Sequence, residues 1–485
     1  MSLPQLSPAL LQQRPNLSRT TELLTLPEKI IQFGTGVLLR GLPDYFVHKA
    51  NEQGMFNGRI VVVKSTNKGG VDAFSDQSNL FTHCVRGIEG GQPVEETFVN
   101  TAISRTLSAR DNWAQIMECA RNPEIRIVIS NTTEVGIQYV PDNLQAAPPE
   151  SFPGKLTAYL FERFKAFGGS AESGMVIVPT ELIVDNGSKL QEIVIRQANE
   201  HQLGADFVTW LETANHFCSS LVDRIVPGQP DKETLAALTA ELGYRDELLI
   251  MSEVYRLWAI QGGDAVRAVL SFAPADSGVV IEKDIDLFRE LKLRLLNGTH
   301  TLSSGLCYLS GLDTVRQSME NSETAAFIAG VMLNELAPAI PYEVDLARAQ
   351  EFGNQVLDRF RNPFIKHQLI DITVQYTAKM KMRNVPTLLN HYKQSNEAPA
   401  LFAKGFAAFL RFMKATAVEN GQYYGLRDGV TYPIKCDSAS YFYEKWQEFG
   451  ADSALLVDLV LADTELWGAD LSALPGFAEA VKQNL

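Results

Sequence analysis

Apolar positions divide the chain into two stretches with different rhythms. In the first, short runs rich in Ile and Val recur: EKIIQFG (28–34), RIVVVKST (59–66), IRIVISNTT (125–133) and GMVIVPTELIV (174–184), with helical patterning such as DNWAQIMECA (111–120) between them. Continuously apolar strands separated by helices predict a mostly parallel sheet covered on both faces. From about residue 280 the spacing becomes helical, over 285–304, 324–340, 351–369 and 398–418, with no convincing strand among them. The pattern predicts an α/β domain over 1–277 followed by an all-α domain over 278–485, the break falling in SFAPADSGVV (271–280).

The segment LKLRLLNGTHTLSS (291–304) opens the helical half. Its leucines are spread around most of the helix surface, which predicts a largely buried helix, so its polar residues need a reason to be there. With Lys292 at zero, Asn297 falls at about 140° and His300 at about 80°, staggered over roughly 12 Å of axis. Three hydrogen-bonding groups then look into one space, at a domain junction of the kind ligands favour.

The first apolar run leads into Gly34-Thr35-Gly36. A strand, a GxG turn and a helix let backbone approach a pyrophosphate at the helix N-terminus, which makes the first domain Rossmann-type. Leu39 stands where a third glycine is usual, Gly41 comes two residues late, and Pro43 suggests a helix start near Leu42. Phe33, Gly34, Thr35, Gly36, Val37 and Leu38 are the candidate cofactor-binding residues of this turn, with Arg40 as a cation for a phosphate. The second run ends in Lys64-Ser65-Thr66-Asn67 without the acidic residue that accepts a ribose 2′-hydroxyl in NAD enzymes. Ser65 is a candidate ribose contact, while Lys64 mildly favours a 2′-phosphate, so the residues leave NAD and NADP open. After the third run, Asn131, Thr132 and Glu134 either line the ribose and nicotinamide or, with Thr133, cap the next helix.

The chain has 485 residues, 45% of them hydrophobic and 21% charged, as expected of a soluble globular protein of two domains. No apolar run approaches the roughly 18 residues of a membrane span, and the N-terminus lacks a signal-peptide pattern, so a cytoplasmic location is the default expectation. Five scattered cysteines without a CxxC pair fit a reduced compartment. A net charge of −14 disfavours nucleic acid and acidic membranes as partners, although a local cation cluster can still hold a small anion. His48, His83, His201, His216, His367 and His391 form no short ligand spacing, and no metal site is expected.

Three spaced motifs carry a resemblance over nearly the whole chain: Lys292-x4-Asn297-x2-His300, Val222-Asp223-Arg224-Ile225-Val226-Pro227 and Arg359-Phe360-Arg361-Asn362-Pro363. Together they resemble the mannitol dehydrogenase family of polyol-specific long-chain dehydrogenases. FGTGVLLRG, VVVKST, SNTTEVG and PTELIVDNG look most like its hexuronate branch. The resemblance implies a Rossmann-type domain followed by a helical domain, and metal-independent hydride transfer with NAD as cofactor. The implied partner is a small sugar-acid substrate, D-tagaturonate reduced to D-altronate in hexuronate catabolism. One departure stands out: many members place Cys-Asp-Asn before an Asn-Gly pair, the Asn serving as an oxyanion donor, where this chain has Thr180-Glu181-Leu182 before Asn186-Gly187. A mannitol- or fructuronate-type dehydrogenase of the same family, and a non-catalytic dinucleotide sensor, are the alternatives.

Hydride delivery to a ketone requires a proton donor and dipoles aimed at the forming alkoxide. Lysine begins at a pKa of about 10.4, and burial lowers it toward neutrality, which suits Lys292 as acid in reduction and base in oxidation. Asn297 donates from its amide and a neutral His300 from one ring nitrogen, completing the catalytic set. A uronate also needs cations for its carboxylate, and KMKMR offers Lys379, Lys381 and Arg383. A solvated charged face is the competing account of these three. Asp223 is a candidate acceptor for a substrate hydroxyl, unless it pairs internally with Arg224.

Overall fold

The structure is a computed structural model and describes residues 3–13, 21–65, 71–132 and 136–485. It forms two compact units, one of Met1–Arg86 and Val94–Ile285, the other of Gly87–Pro93 and Asp286–Leu485.

The first unit is built on a six-stranded sheet. Its strands are β1 (Glu28–Phe33), β2 (Arg59–Lys64), β3 (Ile103–Ser108), β4 (Ile127–Ser130), β5 (Val176–Pro179) and β6 (His216–Phe217). They lie in the order β3-β2-β1-β4-β5-β6, and every neighbouring pair is parallel. Successive side chains of a strand point to opposite faces. Ile30, Ile60, Val62, Ile127 and Ile129 accordingly enter one core with Tyr45, Phe46 and Trp258. Ile31, Phe33, Val61, Val63 and Val128 enter the other with Leu156, Tyr159, Leu190 and Val194. The central strands β1, β2, β4 and β5 each carry an apolar stretch that serves both faces because both are covered. The order reverses between β1 and β4, and in such sheets ligands bind outside the carboxyl ends of the strands at that switch point.

After β1 the chain forms α1 (Val37–Gly41), breaks at Leu42 (φ −130°, ψ −76°) and resumes as α2 (Pro43–Glu52). The helix therefore begins directly after Gly36, not near Leu42 as the position of Pro43 suggested. Proline cannot continue a helical ladder but readily opens one, so it splits the segment in two. On the far face, α3 (Phe152–Ala166) and α4 (Asn186–Glu200) supply the apolar cover.

The second unit is mostly helical. It contains α5 (Asp286–Leu291), α6 (Thr299–Leu309), α7 (Leu346–Arg361), α8 (Tyr376–Arg383) and α9 (Ala400–Phe412), among other helices. It is not all-α: Ala417–Glu419, Gln422–Arg427 and Val430–Ile434 form a three-stranded antiparallel sheet. Both of its connections are two-residue turns, Asn420-Gly421 (φ 50° and 79°) and Asp428-Gly429 (φ 50° and 81°). Positive φ at both central positions is the requirement of the type I′ hairpin, and Asn-Gly and Asp-Gly are its strongest sequence signals. The helical rhythm of the neighbouring segments masked them.

Candidate active site

At the switch point the turn after β1 is shaped for close backbone approach. Gly34 has φ 132°, and a Cβ there would stand 2.7 Å from the Asn131 carbonyl oxygen. Gly36 has nothing within 4 Å of where its Cβ would be, so the start of α1 is open to a ligand. The packing role of a third glycine falls to Gly41, where a Cβ would meet Val226 at 2.6 Å. At the end of β2, the buried Ser65 hydroxyl has no hydrogen-bond partner among the described residues. An open glycine, a tight crossing and an orphaned hydroxyl fit a pyrophosphate and an adjoining ribose.

Arg40 does not belong to this site. It is buried, donates to the Leu248 carbonyl, and lies over the Phe74 and Phe81 rings at 5.7 and 5.4 Å. Burial lowers its pKa, partly offset by Asp44 and Asp246. Starting α1 early turns Arg40 inward instead of leaving it on a loop. Asn131 and Thr132 are half-buried, and their donors are already engaged: Asn131 Nδ2 bonds the Thr180 carbonyl and hydroxyl, each at 3.0 Å, and Thr132 bonds Glu181. These two residues shape the crevice edge. Glu134, like Thr133, Thr66 and Asn67, lies outside the described residues.

In the second unit, Lys292–Gly298 is π-helix, not the α-helix assumed from sequence. In a π-helix hydrogen bonds link residues five apart. Lys292 and Asn297 are separated by that interval, so the wider turn brings them nearer to one line than the 140° offset of an α-helix. His300 follows in the first turn of α6. The wide turn is held from outside: Asn384 Nδ2 bonds the Gly298 carbonyl at 3.0 Å, and Arg294 reaches the Met382 and Arg383 carbonyls at 2.7 and 3.0 Å. Tyr376 accepts from Gly305 N at 2.9 Å and donates to the Thr301 carbonyl at 2.8 Å, tying α8 to α6. Lys292 and Asn297 are half-buried, so Lys292 is less enclosed than the leucine pattern suggested.

His300 is buried, with its ring stacked on Phe360 (4.1 Å between centroids, 22°) and edge-on to His367 at 4.9 Å. Burial holds its pKa well below the usual histidine value, and His367, whenever protonated, pushes the same way, as do the positive charges of Arg359, Arg383 and Lys379. It is therefore a neutral imidazole with one N–H to donate. Lys379 and Arg383 are four residues apart on α8 and share a face. Lys379 Nζ bonds the Ile372 carbonyl at 2.8 Å, Arg383 bonds Thr301 Oγ1 at 3.2 Å, and Arg383 Nε is buried without a partner. Among the described residues neither is paired with a carboxylate. Burial lowers both pKa values, and for Lys379 the Arg383 charge adds to it. Lys381 is excluded from this face: two residues along, about 200° around the helix, it is exposed and bonded to the Glu465 carbonyl at 3.0 Å.

The two halves match two family models, the mannitol dehydrogenase Rossmann domain over residues 28–271 and the mannitol dehydrogenase C-terminal domain over 284–485. The chain belongs to the mannitol dehydrogenase family. As a family member it is an oxidoreductase. It is 39% identical to the altronate oxidoreductase of Yersinia enterocolitica over 95% of this chain and 94% of that one. With the Bacillus subtilis altronate oxidoreductase it shares 36% over 94% and 91% of the two chains. The Pseudomonas fluorescens mannitol 2-dehydrogenase ternary complex with NAD and D-mannitol has the same fold (TM-score 0.63, 23% identity, covering 99% and 96%). So does substrate-free D-sorbitol dehydrogenase (TM-score 0.69, 21% identity, covering 93% and 96%).

In this family member the Val222–Pro227 motif serves the first unit. Arg224 donates to the Gly41 carbonyl at 2.6 Å and to that of Glu253 at 3.0 and 2.9 Å, and lies 4.4 Å from the Tyr45 ring centre. Asp223 is buried at the end of Ser220–Asp223. Sequence reasoning missed three residues around His300: Arg359, Phe360 and His367. Arg359 and Phe360 were visible in the Arg-Phe-x-Asn-Pro motif, read there without a role, whereas only the fold brings His367 to the imidazole. Among the described residues no group of three or more His, Cys, Asp or Glu side chains is placed to hold a metal ion, and no helix is long and apolar enough to cross a membrane.

Proposed function

We propose that this protein is an altronate oxidoreductase that reduces the ketone of D-tagaturonate to D-altronate with NADH, reversibly and without a metal, as a step of hexuronate catabolism. The observation that carries the substrate class is the Lys379–Arg383 pair. Two half-buried cations with no carboxylate partner repel each other and have lost hydration, and an incoming uronate carboxylate relieves both costs. The altronate oxidoreductase relatives support the same substrate. NAD rather than NADP follows the hexuronate-branch resemblance, and Ser65 offers a ribose contact.

Bound NADH supplies the hydride. Lys292 gives its proton to the carbonyl oxygen as the carbonyl carbon gains hydrogen, and recovers it when the alcohol is oxidised. Asn297, one π-turn along, donates an amide N–H to the same oxygen. His300 donates a ring N–H, and because it stays neutral it polarises the carbonyl without competing for the proton-transfer role. Asp223 is assigned to a substrate hydroxyl.

Oxidation of NADH and NADPH followed with tagaturonate, fructuronate and fructose tests the reading. Tagaturonate with NADH should turn over fastest. Preference for fructose or fructuronate would reassign the enzyme within its family, and no oxidation with any of them would favour the sensor.

A further inference from the structure

Glu181 stands beside the position where many family members carry an oxyanion amide, yet its carboxylate is turned to another task. It is 3% exposed and accepts from Thr132 N at 2.9 Å, Thr132 Oγ1 at 3.1 Å and Ser130 Oγ at 3.1 Å. All three donors belong to the end of β4. The preceding residue completes the joint: Thr180 takes Asn131 Nδ2 on its carbonyl and hydroxyl and donates its own hydroxyl to the Ser130 carbonyl at 2.8 Å. The β4 and β5 exits are thereby fastened together. The β4 exit also sets the turn after β1, since the Asn131 carbonyl lies where a side chain on Gly34 would stand.

We infer that Glu181 is a positioning residue for dinucleotide binding: its carboxylate clasps the Ser130–Thr132 exit so that this strand end and the Gly34–Gly36 turn keep the spacing a dinucleotide requires. The inference rests on the dinucleotide reading above. A carboxylate can accept all three bonds at once, whereas an apolar side chain would leave a backbone N–H and two hydroxyls without that acceptor. Burial raises the Glu181 pKa, and the bonds from Thr132 and Ser130 pull it back, so the clasp favours the charged form. The backbone N–H of Glu181 itself pulls in the same direction.

NADH binding by fluorescence titration, with KM for both substrates and thermal unfolding, tests the clasp in wild type, Glu181→Leu and Glu181→Gln. Glu181→Leu should weaken NADH on the order of tenfold and raise its KM alike, with KM for the sugar acid unchanged. Glu181→Gln keeps an acceptor for Thr132 and should recover most of the loss. A folded Glu181→Leu protein that binds NADH like wild type overturns the inference, as does an equal rise in both KM values. If Glu181→Leu does not fold, the Ser130→Ala, Thr132→Val pair decides: unchanged NADH affinity overturns it. Wild type that binds neither NADH nor NADPH would instead sink the dinucleotide reading, and the clasp with it.

Discussion

Whether a polar side chain can do chemistry depends here on what already occupies its hydrogen-bonding groups. Lys379 and Lys381 are the same residue two positions apart and each bonds a backbone carbonyl, of Ile372 and of Glu465, yet Lys379 is half-buried and its charge acts on His300 while Lys381 is exposed. Arg40 and Arg383 are both largely enclosed and each keeps a buried Nε without a partner, but Arg40 lies over two aromatic rings and feels the charges of Asp44 and Asp246, while burial alone governs Arg383. The difference yields a prediction. Arg383→Ala should lower kcat/KM for tagaturonate by roughly 10- to 100-fold, equivalent to about 1.5–3 kcal/mol for a charged hydrogen bond, and leave the ratio for neutral fructose nearly unchanged. An equal loss on both substrates would show that Arg383 supports the fold and not the carboxylate.

The decisive element is the π-turn from Lys292 to Gly298. Such turns forfeit regular i→i−4 bonding and persist where neighbours compensate. Asn384 and Arg294 provide that compensation, joining the turn to the end of α8. Asn384→Ala would leave the Gly298 carbonyl without its buried donor, at a cost of about 1–3 kcal/mol in unfolding free energy. It should also lower kcat more than KM, because Lys292 and Asn297 lose their alignment. Urea unfolding beside steady-state kinetics measures both, and a stability loss with unaltered kcat would separate the turn from the chemistry.

For the whole molecule, buried titratable groups bracket the pH range of stability. Burial pushes the Asp44 carboxyl up to about 8, against opposing contributions from Gln32 and Arg40. The native state therefore holds this proton more tightly than the unfolded chain, so the contribution is full below about pH 4 and is lost as pH rises toward 8. His83 and His300 act in the opposite sense. Both are held neutral, mainly by burial, so stability falls as pH drops below about 6.5, where the unfolded chain binds protons that the native state refuses. Unfolding midpoints should peak near pH 6–7, and Asp44→Asn should remove the decline that Asp44 imposes between about pH 4 and 8, flattening the alkaline side up to about pH 8 and steepening the acid side. An unchanged alkaline slope in that variant would place the titration elsewhere.

Unbroken Ile and Val runs determined the parallel sheet, because a strand buried on both faces leaves no other composition. The Gly34–Gly36 turn and the Lys292, Asn297, His300 spacing were equally plain, since backbone approach and helical interval are local properties. The same local rules misjudged the start of α1, the α-helical form of the Lys292 turn and the strands of the second unit. Only tertiary structure decided that Arg40 turns inward, that His367 meets His300 and that Glu181 fastens two strand exits. Each of these is a contact between segments far apart in sequence, whose burial and pairing depend on neighbours no local window contains.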